Sequence, residues 1–211
     1  MTDRIGILGS GDVGRALATG FAGHGRDVLV GTRSPDALAD WAADAGVSVG
    51  SFADAADHGD VTVLAVRGDV AETVLESAGP ERFAGQLVLD ASNPLDSSSG
   101  TVHLLYGGAE SLGERVQALL PDAAVVKCFN TVSHAQMVDP VFEATTPRMF
   151  VCGDDVDAKT RTAALLRELG WPGIWDVGDI TFARYLEALV PLWVQLASQL
   201  ETTGHAFTVV E

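Results

Sequence analysis

Short apolar runs alternate with longer amphipathic stretches from the first residues onward. Residues 4–8, 27–30, 47–49, 61–66 and 86–90 are brief and rich in Val, Ile and Leu, the pattern of strands buried on both faces. Between them, residues 13–22, 52–56 and 69–77 place their apolar side chains at helical spacing. Strands separated by helices predict an α/β fold with a mostly parallel sheet covered on both sides, of the Rossmann-type doubly wound kind. Further on, the pattern predicts a helix over 111–120, strands over 124–129 and 148–152, a helix over 156–169 and a short strand near Ile174. These later strands are expected to extend the same sheet.

Two stretches break the rhythm. Residues 92–108 carry Asn-Pro, a serine cluster and Gly-Gly, and read as a long loop at the carboxyl end of a strand, where loops often touch ligands. Residues 182–200 spread Leu186, Leu189, Val190, Trp193, Val194, Leu196, Ala197 and Leu200 over more than one helix face. That predicts a Rossmann-like domain over 1–178 and a small C-terminal helical part over 179–211, kinked at Pro191, that closes a pocket or forms a dimer.

Composition narrows the partners. The 211 residues hold 29 acids against 13 bases, a formal net charge of −16, which opposes nucleic acid and anionic membrane surfaces. Only Lys127 and Lys159 are lysines, and the other eleven bases are arginine. Such a surface suits a halophilic cytoplasm, where salt screens the self-repulsion. Cys128 and Cys152 lie in apolar runs and imply no disulfide framework. The N-terminus enters a strand without the basic flank and apolar core of a signal peptide, and 182–200 is interrupted by Glu187, Pro191 and two glutamines, so a cytoplasmic protein without a membrane span is expected.

The chemistry begins at Gly9-Ser10-Gly11-Asp12-Val13-Gly14, a G-x-G-x-x-G turn directly after a strand and opening a helix. Gly9 permits the tight turn, Gly11 lets backbone approach a pyrophosphate, and Gly14 allows close packing of helix on strand, while the helix N-terminus holds the anion. Some twenty residues later an NAD enzyme places an acid against the ribose. Here stand Thr32, Arg33 and Ser34 instead, hydroxyls and a guanidinium suited to a 2′-phosphate, so NADP(H) is the expected cofactor.

The glycine turn, Gly31-Thr32-Arg33-Ser34, Leu89-Asp90-Ala91-Ser92-Asn93-Pro94-Leu95, Lys127-Cys128-Phe129-Asn130-Thr131, Phe150-Val151-Cys152-Gly153-Asp154-Asp155 and Leu186-Glu187-Ala188-Leu189 occur in this order. Together they resemble the NADPH-dependent coenzyme F420 reductase family over essentially the whole chain. The likeness extends to the NADPH-binding domain of the membrane ferric reductases. It implies hydride transfer between NADP(H) and a deazaflavin laid over the nicotinamide near the strand ends, and a homodimer. By motif it places Gly9, Ser10, Gly11, Asp12 and Val13 at the pyrophosphate and Thr32, Arg33 and Ser34 at the adenosine phosphate. It also places Val66 and Arg67 where the cofactor passes, and Asn93, Pro94, Asn130 and Thr131 near the nicotinamide.

Groups able to move a proton are scarce. Lys127 lies within a strand, and Lys159 begins a helix that reads as a surface helix. His134, after Asn130-Thr131, is the histidine expected to face the cleft and is the candidate catalytic residue. No catalytic residue is certain from the sequence. His24, His58, His103 and His205 lack metal-ligand spacing, and no metal is expected. Trp175, Trp193 and Met137 are candidates to line a pocket for a flavin-like ring. Asp154, Asp155 and Asp157 read as a helix cap. A site with few proton movers suits transfer between two planar cofactors, with a small-molecule hydride donor or acceptor as partner. The alternatives are an NADP(H)-binding redox sensor without turnover, and a reductase of another small acceptor.

Overall fold

A computed structural model of the chain describes residues 3–143, 145 and 147–210. Six strands form one parallel sheet: β1 (Ile5–Leu8), β2 (Val28–Gly31), β3 (Ser48–Gly50), β4 (Val61–Leu64), β5 (Leu87–Asp90) and β8 (Ala124–Lys127), in the spatial order β3-β2-β1-β4-β5-β8. Ile5 stands opposite Val28 on one side and Val61 on the other, so β1 is central. Every connection is a helical crossover. The helices are α1 (Asp12–Gly23), α2 (Ala39–Ala45), α3 (Phe52–His58), α4 (Ala71–Ala78) and α5 (Leu112–Leu119).

The near-continuous apolar strands are explained by burial on both faces. Ile5 and Ile7 of β1, Val61 and Val63 of β4 and Leu87 and Leu89 of β5 pack with Leu17 and Phe21 of α1. The alternate residues Leu8, Leu64 and Val88 pack on the other face with Ala55, Val74, Leu75 and Val116. Strand order reverses between β1 and β4, so a crevice opens above their carboxyl ends, the place where doubly wound sheets take ligands.

Several expectations need correction. The residues at 148–152 do not extend the parallel sheet. β9 (Met149–Val151) pairs in parallel with β10 (Ile174–Asp176) in a separate two-stranded sheet, and meets the main sheet through one antiparallel bridge between Lys127 and Cys152. A parallel neighbour needs a long crossover. Among the described residues, the chain between β8 and β9 holds a single 3-10 turn, His134–Gln136, and so it returns antiparallel. Helix α6 (Val156–Glu168) then supplies the crossover to β10. The stretch 92–108 is not wholly loop, because β6 (Leu95–Asp96) and β7 (His103–Leu104) pair antiparallel. Helix α2 escaped the hydrophobic pattern because Ala42 is its one buried residue. The last helix, α7 (Ala183–Leu200), stays α-helical through Pro191, and its buried residues, Ala183, Leu186, Glu187 and Val190, all lie in its first half. Among the described residues, no helix is long and apolar enough to cross a membrane.

Candidate functional site at the strand ends

The turn after β1 is built as its glycines require. Gly9 has φ +118, and a Cβ there would lie 2.3 Å from the Ala65 carbonyl oxygen, so a side chain is excluded twice. A Cβ on Gly14 would lie 2.0 Å from the Gly9 carbonyl oxygen, which fixes how closely α1 rides over the turn. Gly11 is different. Its φ of −74° suits any residue, and a Cβ there would meet no protein atom within 4 Å. Neither backbone strain nor neighbouring protein asks for glycine, so the open space above Gly11 fits a group that approaches from outside, as the pyrophosphate of a dinucleotide does. Gly11 is also the N-cap of α1 and no side chain caps that helix, which leaves its first-turn amides for an anion.

The end of β2 adjoins this turn. The Ser10 and Thr32 hydroxyls are 3.1 Å apart, and the Ser34 amide donates to Thr32 Oγ1 at 3.4 Å. Arg33 and Ser34 are exposed, and among the described residues no carboxylate lies within salt-bridge range of Arg33. A free guanidinium beside hydroxyls, in so acidic a chain, suits a phosphate. Val66 is half-buried, and its Cγ1 lies 2.9 Å from where a Gly9 Cβ would stand, so it flanks the turn. Arg67 is exposed and engaged by the Asp69 carboxylate, with Nε at 2.9 Å, so its charge is already met. β4 ends at Leu64, and both residues belong to the loop beyond it.

At the ends of β5 and β8 two asparagines are locked together. Asn93 Nδ2 donates to the Asn130 carbonyl at 3.1 Å, and Asn130 Nδ2 donates to the Leu186 carbonyl of α7 at 2.7 Å. These bonds fix both amides, while their Oδ1 atoms are buried and accept no hydrogen bond among the described residues. Phe129, just before, has φ +61, rare for an aromatic residue, and this turn of the backbone leads into Asn130. Pro94 and Thr131 are buried beside the asparagines in sequence.

Sequence reasoning missed the group beneath them. Lys127 is fully buried, and its Nζ donates to Asp90 Oδ2 at 2.7 Å and the Ser92 carbonyl at 3.0 Å, with Glu187 Oε1 at 3.0 Å. Burial opposes its charge, yet the Asp90 and Glu187 carboxylates outweigh burial and hold the ammonium above its ordinary value. Glu187 also accepts from the Leu112 and Gly113 amides at 3.0 and 2.9 Å, the N-terminus of α5. Sheet, α5 and α7 therefore meet at one ammonium. The signal was the lysine itself, set in the apolar run Val125 to Phe129, since a buried charge must be paired.

Other candidates are dispersed. His134 is exposed and lines a groove of about 730 Å³ along α1 with Asp12, Arg15, Thr19 and His24, so it is not alone among histidines in facing a cleft. Lys159, expected on a surface helix, is buried and holds Asp176 and the Gly178 carbonyl, at 2.9 and 3.1 Å. Trp175, Trp193 and Met137 do not converge. Arg148 stacks over Trp175, His205 stacks on Trp193 with ring centroids 4.6 Å apart, and Met137 is a core residue. Burial pushes the Cys128 thiol well up and that of Cys152 up to about 12, which leaves both inert at neutral pH. Asp155 caps α6 by accepting from the Ala158 amide at 2.7 Å, as its place before the helix suggested. Among the described residues no group of three or more His, Cys, Asp or Glu could hold a metal ion.

Parallel sheet, switch point and glycine turn define a Rossmann-type dinucleotide-binding protein. The family described as NADP oxidoreductase, coenzyme F420-dependent, matches residues 4–94. A protein from Arthrobacter sp. FB24, provisionally described as an F420-dependent NADP reductase, has a crystal structure that superposes with a TM-score of 0.96, at 38% identity over 100% of both chains. The F420-dependent NADP reductase of Methanocaldococcus jannaschii is 27% identical over 95% of each chain. Metalloreductase STEAP3 of Rattus norvegicus is 30% identical over 90% of this chain, which spans only 38% of that protein. The chain belongs to the F420-dependent NADP oxidoreductase family, and is an NADP-dependent oxidoreductase.

Proposed function

We propose that this enzyme passes hydride between NADPH and a deazaflavin, coenzyme F420 or a flavin-like ring, lying over the strand ends. Bound there, NADP(H) would give or take the hydride. The turn from Gly9 to Gly14 holds the pyrophosphate, Thr32, Arg33 and Ser34 hold the 2′-phosphate, and Asn93 and Asn130 wall the nicotinamide end.

The observation that carries the acceptor class is the state of the two lysines. Carbonyl reduction needs a group that delivers a proton as hydride arrives. Lys127 has its three donors committed in the core, and Lys159 is buried and tied to Asp176 and the Gly178 carbonyl. Transfer between planar heterocycles asks for alignment and exclusion of water, and the amides of Asn93 and Asn130, fixed by their hydrogen bonds, serve the alignment. A homodimer joined through the second half of α7 completes the proposal.

The test is to mix the protein with NADPH and oxidised F420 and follow loss of the deazaflavin absorbance. Turnover is expected, and it should survive His134→Ala. A folded, NADPH-binding protein that leaves F420 oxidised rejects that acceptor. Silence across flavin, ferric and quinone acceptors as well would mark a redox sensor, and loss of a small-carbonyl activity in His134→Ala would mark a reductase of another kind.

A further inference from the structure

Seven of the eleven arginines lie within 4.0 Å of a carboxylate among the described residues: Arg4, Arg26, Arg67, Arg82, Arg115, Arg161 and Arg184. Two of those that do not, Arg15 and Arg33, stand at the same corner of the molecule. Arg15 is the residue after Gly14. Its Nε donates to the Ser10 carbonyl at 3.0 Å, and its guanidinium lies 5.1 Å from the centre of the Trp41 ring on α2. Ser10 thus joins two sides of the corner, because its carbonyl takes Arg15 while its hydroxyl meets Thr32 at 3.1 Å.

We infer that Arg15 is a second cation of the adenosine 2′-phosphate site and sets the preference for NADP(H) together with Arg33. The inference rests on the NADP reading of the glycine turn. A guanidinium has five N–H donors in a planar fork, and Arg15 spends one on Ser10. Trp41 takes a face of the group, and this stacking orients the fork without consuming its edge donors. Arg148 is also without a carboxylate partner among the described residues and stacks over Trp175, so what sets Arg15 apart is its link through Ser10 to Thr32 beside the glycine turn. In a chain of net charge −16, an ordered and unpaired guanidinium linked through one serine to Thr32 is matched to a dianion.

The experiment is calorimetric titration of the wild-type protein, Arg15→Met and Arg15→Lys with NADPH, NADH and adenosine 2′,5′-bisphosphate, with a thermal melt of each. Methionine keeps an unbranched chain against Trp41 and removes the charge. Arg15→Met should weaken NADPH and the bisphosphate by about tenfold or more while NADH changes by less than about twofold, and Arg15→Lys should recover part of the loss. Unchanged NADPH affinity in a folded Arg15→Met protein overturns the inference. So does an equal loss for NADPH and NADH, which would assign Arg15 to the pyrophosphate or to the turn itself. A wild-type protein that bound neither NADPH nor the bisphosphate would instead remove the NADP reading beneath it.

Discussion

Lys127 shows how a single residue can organise a site without entering its chemistry. Its ammonium is fully buried between Asp90 and Glu187, and Glu187 is in turn held by two amides of α5. The same stretch of α7 gives Asn130 its partner, the Leu186 carbonyl, so the asparagine pair at the strand ends is held by the same contact. Replacing the lysine by methionine would leave two carboxylates buried with one cation fewer, and removal of one partner from a buried pair costs about 3–5 kcal/mol. Urea unfolding of Lys127→Met should show a loss of that size, and a change below about 1 kcal/mol would mean that the charges are not confined as described. The sequence revealed that a lysine sat in an apolar strand, but its partners lie 37 and 60 positions away, and nothing local in a chain predicts which distant carboxylate will meet it.

At the scale of elements, the parts legible in advance were those whose burial is periodic. β1, β4, β5 and α1 bury apolar residues on defined faces, and their places agree with the pattern read from the sequence. Helix α2 was not legible because alanine and aspartate dominate it, and β6 and β7 were not because two-residue strands have no period. Helix α7 divides in two. Its first half is fastened to the sheet and α5, whereas no residue of the second half is fully buried: Trp193 stacks on His205, and Leu192 and Leu200 are 51% and 56% exposed. Apolar side chains on such a face favour a second copy as the cover in the dimer proposed above. Sedimentation of the wild-type chain should show a dimer, and Leu192→Asp with Leu200→Asp should shift it to monomer with little change in the melt. A monomeric wild type, or a double variant that stays dimeric, would remove α7 from the interface.

For the whole molecule, the order of the sheet decides where function can lie. β1 and β4 are neighbours whose chain connections leave in opposite directions, so the crevice above them is the one place where a glycine turn, the end of β2 and the asparagines at the ends of β5 and β8 share a rim. The glycine turn was legible because a positive φ at Gly9 and the close packing of α1 at Gly14 leave glycines at fixed spacing in the sequence. The Lys127 network, the asparagine lock and the dispersal of Trp175, Trp193 and Met137 were not, since each depends on how distant segments pack. The central claim is that a dinucleotide lies across the turn above Gly11, and Gly11→Ala tests it because the added methyl would touch no protein atom within 4 Å. Loss of the N-cap glycine should cost no more than about 1 kcal/mol of stability. Calorimetric titration should show NADPH binding to the wild type and its weakening by about tenfold or more, 1.4 kcal/mol or above, in the folded variant; equal affinity in the two proteins would contradict the account.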